Sequence, residues 1–395
     1  MSGFLILAFS LSIFLFFGLL EYRNHSKRRD KIRIRIHVNG TRGKSSVTRL
    51  IASGLRAGGY RVVAKITGTL PRLILPDGSE RDIIRFGFPN IIEQKILVRE
   101  ASENDAEVLV SECMALLPFH QWISEEKFIK ATHYVITNVL EDHLEIMGPS
   151  KFDVALAFSG ALPSGGRVFS SEKGYGSLLE KLTKERNSDF YSVIPEDLPG
   201  EEEMKAFGYL EHPENVGLAL KVCLSLGVSR EKALQGMWEA LPDPGANTTV
   251  ELSWEGKTIR FVNGFAANDP DSARKAWNFA VRNFPGTEKK IALVNCRKDR
   301  QERSRQLARE ISDWIENSPD LIVCIGEATR SFRIGGKNRS IPILDAEGKS
   351  DLEVFQLLHS ISSEKTLIVG LGNIADLGLQ LSDLFRVGAR EFSNI

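Results

Sequence analysis

Residues 32–46 read IRIRIHVNGTRGKSS. Ile32 to Val38 alternates apolar and basic side chains, a period of two that predicts a β-strand. It runs directly into Asn39-Gly40-Thr41-Arg42-Gly43-Lys44-Ser45-Ser46, then into a helical pattern with Val47, Leu50, Ile51 and Leu55 on one face and Gly58-Gly59 as its stop. Strand, glycine loop, Lys-Ser, helix is the arrangement of a phosphate loop. Glycines let backbone N–H groups curl round a phosphate, the helix N-terminus adds positive potential, the lysine reaches the β- and γ-phosphates, and the serine hydroxyl ligates magnesium. The strict pattern would need glycine at position 38, where this chain has Val38; what stands here is the shorter GxxGKS. The expectation is a site for ATP and Mg²⁺ built on Gly40, Thr41, Arg42, Gly43, Lys44, Ser45 and Ser46.

Two later strands supply partners for such a loop. Glu107 to Glu112 (EVLVSE) is apolar and ends in a carboxylate. In open α/β sheets ligands sit outside the carboxyl ends of the strands, and a hard oxygen ligand there suits Mg²⁺. A Glu closing a strand is otherwise a solvated end residue. His133 to Val139 (HYVITNV) forms another strand, followed by Leu140-Glu141-Asp142-His143. Asp142 and His143 either complete a magnesium shell and orient the attacking group, or form a plain turn.

The ends of the chain read differently. Gly3 to Leu20 is about 18 residues without a charge, the lower end of what spans a bilayer as a helix. Arg23, Lys27, Arg28, Arg29, Lys31, Arg33 and Arg35 follow it. Basic flanks stay on the cytoplasmic side, which predicts a single-pass cell-membrane protein, N-terminus outside and catalytic domains cytoplasmic. A cleaved signal peptide would carry its charges ahead of the apolar run; a buried core helix is the other alternative. Three strands near the C-terminus, Ile291–Val294, Leu321–Ile325 and Thr366–Val369, alternate with helical stretches such as Glu302 to Ile315, a second α/β unit with a parallel sheet. The predicted fold class is thus α/β in several parts. A transmembrane anchor (1–21) and a basic linker (22–31) lead into a P-loop central α/β domain (32–245) and a C-terminal Rossmann-like α/β domain (246–395). Gly370-Leu371-Gly372-Asn373-Ile374-Ala375 imitates a dinucleotide fingerprint but lacks the following strand and acidic residue, so it reads as a turn lining an interdomain cleft.

The 395 residues hold 51 Lys plus Arg and 51 Asp plus Glu, a formal net charge of zero, which gives no sign of a nucleic-acid binder. The zero is an average. Residues 1–35 hold seven basic residues against two acidic ones, so the remainder carries a matching acidic excess of five. Four widely spaced cysteines, with no CxxC, suit reduced buried thiols rather than zinc or disulfides.

GTRGKSS, Ser111-Glu112, Thr137-Asn138 with Glu141-Asp142-His143, and His212-Pro213-Glu214-Asn215 with Leu218-Ala219-Leu220 occur in the order seen in Mur ligases and folylpolyglutamate synthases, ATP-dependent amino-acid ligases. Within that family the chain most resembles the membrane-anchored ligase subunits of poly-γ-glutamate synthases. Phe265 to Ser272 (FAANDPDS) and Asn295 to Arg300 (NCRKDR) match that branch. The resemblance implies a Mur ligase-like fold and addition of glutamate to a growing poly-γ-glutamate chain through an acyl phosphate, releasing ADP and phosphate. It implies that Lys44, Glu112 and His143 are catalytic, with Ser45, Glu112 and His143 on magnesium. Asn138 would sit beside the nucleotide, Asn215 and His212 near the adenine, and Asn268 and Asp269 where the C-terminal domain closes on ATP and keeps out water. Small membrane subunits of a capsule polymer synthase and export complex are the implied partners.

The sequence departs from the family in two places. Asp153 to Gly160 has no lysine where Mur ligases carry a carbamylated one, and Pro244-Gly245 is followed by Ala246-Asn247 rather than arginine. Only the anchor and collar precede Ile32, which leaves no room for a nucleotide-sugar domain and favours a polymer or folate-type acceptor. Arg72, Arg81 and Arg85, on the stretch from Gly68 to Arg85, either meet acceptor carboxylates or are ordinary surface arginines. Arg297 and Arg300, beside Asp299, either bind the two carboxylates of glutamate or open a solvated helix. The alternatives are a folylpolyglutamate-type ligase acting on a small acceptor and a membrane-tethered P-loop ATPase of an export complex.

Overall fold

Strand β1 (Ile34–Asn39) lies near the middle of an eight-stranded sheet, and from Ile36 onward both of its faces are buried. Its alternation therefore does not mark one wet face. Arg35 bends along the strand to donate from Nε to the Lys130 carbonyl at 2.8 Å and from Nη1 to the Ile32 carbonyl at 2.6 Å, while His37 is wholly enclosed. The computed structural model describes residues 3–67, 71–85, 89–207, 209–242, 247–265, 269–314, 316–336 and 341–392. It divides into two units, residues 1–206 with 212–241, and residues 207–211 with 242–395.

In the first unit β2 (Val62–Ile66), β3 (Arg72–Ile74), β4 (Glu80–Asp82), β5 (Val108–Glu112), β6 (His133–Ile136), β7 (Arg167–Ser170) and β8 (Asp189–Ser192) join β1 in the order β4-β3-β2-β5-β1-β6-β7-β8. All pairings are parallel except the β2-β3-β4 edge. The register sets Val38 opposite Glu112 and Asn39 opposite Ile136. The phosphate loop is therefore flanked by the ends of β5 and β6, at the carboxyl edge where α/β proteins bind ligands.

Helix α1 (Gly3–Lys31) is one unbroken helix of 29 residues. This corrects the expected linker at 22–31, which is the second half of that helix. The helix does not stop at Leu20 because its basic half finds partners on the body. The His25 ring bonds the Phe128 carbonyl at 3.0 Å, Arg29 donates to the Lys127 carbonyl at 3.3 Å, and Glu21 pairs with Lys95 at 2.7 Å on helix α3 (Glu93–Glu103). The apolar half is left exposed, with only its last turns reaching Ile92 and Ile96, and α1 is the one helix among the described residues long and apolar enough to cross a membrane.

Helix α2 (Lys44–Ala57) continues the phosphate loop and packs on α4 (Pro213–Ser225) and α5 (Arg230–Trp238). The approach is close because it is made at glycines. A Cβ on Gly54 would lie 2.9 Å from Cys223 Sγ, and one on Gly236 would lie 2.3 Å from the Ser53 carbonyl oxygen.

The second unit is a seven-stranded sheet of β9 (Tyr209–Leu210), β10 (Asn247–Trp254), β11 (Lys257–Asn263), β12 (Lys289–Cys296), β13 (Leu321–Gly326), β14 (Ile343–Asp345) and β15 (Lys365–Leu371), in the order β14-β13-β12-β15-β11-β10-β9. The three expected strands are β12, β13 and β15, all parallel. Alternation along them separates two cores. Ala292, Val294 and Cys324 face α6 (Pro270–Asn283) and α7 (Gln301–Ser312), with Trp277 stacked on Trp314. Ile291, Leu293 and Val323 face α8 (Asp351–Ile361) and α9 (Leu377–Phe392). The expected boundary at 245/246 falls outside the described residues. Residues 207–211, expected in the central domain, instead lend β9 to this sheet.

Gly236→Ala should destabilise the first unit by about 1–3 kcal/mol through overpacking on α2, read as a lower urea midpoint. Gly176→Ala, at a helix start with nothing within 4 Å of the added carbon, should be neutral or slightly stabilising.

Candidate active site

The loop between β1 and α2 is shaped by two glycines that no other residue could replace. Gly40 has φ +127° and its Cβ would stand 2.1 Å from Thr137 Oγ1; Gly43 has φ +81° and its Cβ would stand 2.7 Å from Asn215 Oδ1. The chain leaving β6 clamps the loop from outside. Asn138 Oδ1 accepts the Arg42 N–H at 3.0 Å, its Nδ2 donates to the Arg42 carbonyl at 3.1 Å, and Thr137 Oγ1 donates to that same carbonyl at 2.6 Å. Asn39 holds the near end. Its Oδ1 accepts the Gly40 N–H at 2.8 Å, and its Nδ2 donates to Gln121 and Tyr134, each at 2.9 Å.

Lys44 Nζ donates to the loop's own carbonyls, Gly40 at 2.7 Å and Thr41 at 3.1 Å. Burial lowers its pKa, and the Glu112 carboxylate pulls the other way. Ser45 Oγ donates to Glu112 Oε2 at 3.0 Å, an oxygen that also accepts the Thr67 N–H at 2.6 Å. Arg42 pairs with Asp142 at 3.4 Å. His143 sits in the left-handed region at φ +49°, a strained backbone of the kind found at functional sites.

Gly40, Thr41, Arg42, Lys44, Glu112, Asp142 and His143 line one cavity of about 330 Å³, and Arg85 lines it with them. This cradle fits a nucleotide polyphosphate, because the loop opens onto it at the N-terminus of α2 with Lys44 on its wall. For a metal, Ser45 and Glu112 put two hard oxygens side by side. No three His, Cys, Asp or Glu residues converge among the described residues, so the remaining ligands would be phosphate and water, the habit of Mg²⁺.

Other expected residues lie elsewhere. Asn215 buttresses Gly43, and His212 is exposed at the start of α4. Asn268 lies outside the described residues, as do Gly68 to Leu70 of the acceptor stretch. Asp269 caps α6, accepting the Ser272 N–H at 3.0 Å and its hydroxyl at 2.7 Å. Arg72 is paired with Asp82 at 3.3 Å and Glu80 at 3.7 Å. Arg297 lines a crevice of about 600 Å³ at the ends of β12, β13 and β15, gripped in two bonds of 2.9 Å by Asp299; Arg300 approaches Asp299 at 3.8 Å. The segment expected to be a turn instead begins as strand, since Gly370 and Leu371 close β15; the chain turns only from Gly372, held where Asn295 Nδ2 donates to the Asn373 and Ala375 carbonyls. All four cysteines are free and buried.

Sequence reasoning missed two buried groups. Lys65, fully enclosed on β2, pairs with Glu93 at 3.3 Å, and Glu93 grips Arg85 in two bonds of 2.8 and 3.0 Å. Burial lowers the Lys65 pKa, with Glu93 opposing. The available signal was a lysine inside the otherwise apolar run Val62-Val63-Ala64-Lys65-Ile66. The second group is His37, whose Nδ1 lies 2.8 Å from Glu125 Oε2 beneath the loop. Burial works against its charge, but the Cys113 sulfur and the Glu125 carboxylate hold its pKa up at about 9.

The family model for the poly-gamma-glutamate synthase CapB C-terminal domain matches residues 249–387, and that for the Mur ligase middle domain matches residues 38–158. The capsule biosynthesis protein CapB of Bacillus anthracis is 37% identical over 377 residues, covering 93% of this chain and 80% of the relative. The PGA synthase CapB of Bacillus subtilis (strain 168) is 37% identical over 374 residues, covering 93% and 94%. Among solved structures, E. coli FolC in complex with ADP superposes with a TM-score of 0.67 at 14% identity, covering 94% of each chain. The Yersinia pestis folylpolyglutamate synthase/dihydrofolate synthase complexed with AMPPNP and Mn gives 0.68 at 14% identity, covering 93% of each. MurF from Acinetobacter baumannii gives 0.64 at 14% identity, covering 93% and 80%. At those identities the likeness is one of fold.

Because the folded pKa of His37 lies above its ordinary 6.5, its ion pair stabilises fully below pH 6.5, and that contribution is lost as pH rises through about 9. The urea midpoint should fall across this window, and Glu125→Gln should flatten the fall.

Proposed function

Since the chain belongs to the Mur ligase family, in its poly-γ-glutamate synthase branch, we propose that it adds glutamate to a growing poly-γ-glutamate chain in an ATP-dependent, ADP-forming amide ligation. The observation that carries this reading is the cavity shared by the phosphate loop with Lys44, by Glu112, to which Ser45 donates, and by Arg85. It brings phosphate-binding donors and a carboxylate-binding cation to one place, which a ligase needs and a simple ATPase does not.

A carboxylate is a poor electrophile, so it is activated first. The acceptor's carboxylate oxygen attacks the γ-phosphorus of ATP, the bond to ADP breaks, and an acyl phosphate forms. The loop N–H groups of Gly40 to Ser46 orient the phosphates, and Lys44 exchanges loop carbonyls for phosphate oxygens as charge moves outward. Mg²⁺, when bound by Ser45 and Glu112, supplies further charge neutralisation. Arg85, already aligned by Glu93, presents N–H groups to the acceptor carboxylate. The glutamate amine then attacks the acyl carbon, its C–O bond to phosphate breaks, and the amine's proton is released. His143 and Asp142 stand on the same wall to orient the attacking group.

The apolar half of α1 suits a single-pass membrane anchor. The basic residues that follow it favour the ligase body on the cytoplasmic side, where small membrane subunits of a capsule synthase and export complex would meet it. The lack of a lysine at 153–160 leaves any second metal to other ligands.

Incubation with ATP, labelled glutamate and polymer should give ADP, phosphate and longer polymer. AMP and pyrophosphate would sink the acyl-phosphate route, glutamate-independent turnover would favour the ATPase, and a preference for a small pteroate acceptor would favour the folylpolyglutamate-type ligase. Lys44→Ala should cost at least about 100-fold in turnover. Arg85→Gln should raise the acceptor KM roughly tenfold, the loss of one charge-assisted pair, with the KM for ATP little changed.

A further inference from the structure

A groove of about 490 Å³ runs between α1 and α3 at α1's apolar-to-basic junction. Phe17 and Leu20 on α1 face Ile92 and Ile96 near the start of α3, and they form its apolar end. Ile92 is half exposed and belongs to no core cluster. Farther along α1, about 16 Å from Phe17 by helix rise, the lining turns polar, with Arg28 meeting Lys95 and Arg99 from α3. Glu21 is the one carboxylate among the described lining residues, and Lys95 already neutralises it at 2.7 Å. Arg28 has only a distant, exposed pair with Glu103 at 3.7 Å. Arg99 has no ion pair or hydrogen bond among the described residues.

The groove is therefore amphiphilic along its length, apolar toward the membrane-type half of α1 and cationic toward the body. Tyr22, exposed at the junction, is the residue type that settles at headgroup level. We propose that this groove binds one anionic glycerophospholipid, its phosphate between Arg28 and Arg99 and its first acyl carbons along Phe17, Leu20 and Ile96. The site rests on the reading of α1 as a membrane anchor. It goes beyond a diffuse basic collar, because a helix with a free linker would form no such groove. The unbroken α1 docked on α3 does. A bound lipid would wedge the body against the bilayer in a fixed orientation.

The test uses the full chain in phosphatidylcholine vesicles carrying traces of spin-labelled phosphatidylglycerol or spin-labelled phosphatidylcholine, with electron paramagnetic resonance reading the immobilised fraction. Resistance to alkaline carbonate extraction is measured separately. The expected result is an integral protein that prefers phosphatidylglycerol by roughly 25-fold, at about fivefold for each of the two arginines. Arg28→Gln with Arg99→Gln should bring the preference to within about twofold, while Arg23→Gln, exposed on α1 outside the groove, should leave most of it. A chain extracted by carbonate overturns both the anchor and the lipid site. An integral chain that immobilises the two lipids equally, as a groove made for another apolar helix would, overturns the lipid site alone. So does an equal loss in the Arg23 variant, or a preference that survives the double substitution.

Discussion

The register of β1 between β5 and β6 is the constraint on which the candidate site depends. With Val38 opposite Glu112 and Asn39 opposite Ile136, the phosphate loop has a carboxylate on one side and the Thr137-Asn138 clamp on the other. A slip of one residue would turn every side chain of the strand to the opposite face. His37 would leave Glu125, and Asn39 would lose Gln121 and Tyr134 together. Buried polar groups left unpaired cost about 1–3 kcal/mol each, so the network beneath the loop makes the competing register expensive. The same bonds that hold the loop open for phosphate therefore specify the fold.

Helix α2 transmits that order away from the site. Its first turn carries Lys44 and Ser45, and its later turns are pressed against α4 and α5 at Gly54 and Gly236. Close backbone approach leaves little freedom for the helix to rotate or slide. Asn215 of α4 meanwhile touches Gly43 from behind. Catalytic groups gain from rigid support of this kind, because misplacement by an ångström is costly in rate.

The loop, Glu112 and the Asp142-His143 corner were legible in the sequence because their chemistry is local: glycines, a Lys-Ser pair and strand-end acids announce themselves within a few residues. The two α/β units were legible from apolar strands alternating with helices. What was not legible depends on partners far along the chain. Residues 22–31 carry a linker's charge density, and they remain helical because Lys95, Phe128 and Lys127 receive them. Arg85 could be named but not distinguished from Arg72, since only the fold brings Glu93 and Lys65 to one of them and Glu80 and Asp82 to the other. The short β9 is invisible in the sequence because its two residues are strand only by pairing with β10, far along the chain.

Charge around the cavity follows one rule. Arg42 is matched by Asp142, Lys65 and Arg85 share Glu93, and Lys44 lies in the field of Glu112. Four cations against three carboxylates leave a site only slightly positive, in a body whose residues beyond 35 carry a net acidic excess. Long-range attraction cannot then gather ATP, glutamate and a polyanionic acceptor, and ordinary salt would screen it within about 8–10 Å in any case. Selection must instead come from short-range replacement. A phosphate or carboxylate oxygen displaces a protein oxygen from a cation that is already oriented, so little ordering cost remains to be met on binding. The Glu93 pair also keeps the enclosed Lys65 from destabilising the fold before substrate arrives, since an unpaired buried charge is the costlier state. On this argument Asp142 acts as a stand-in for substrate at Arg42 while Glu93 keeps Arg85 oriented, and the acidity of the surrounding body is compatible with an anionic polymer because recognition is confined to contact distance.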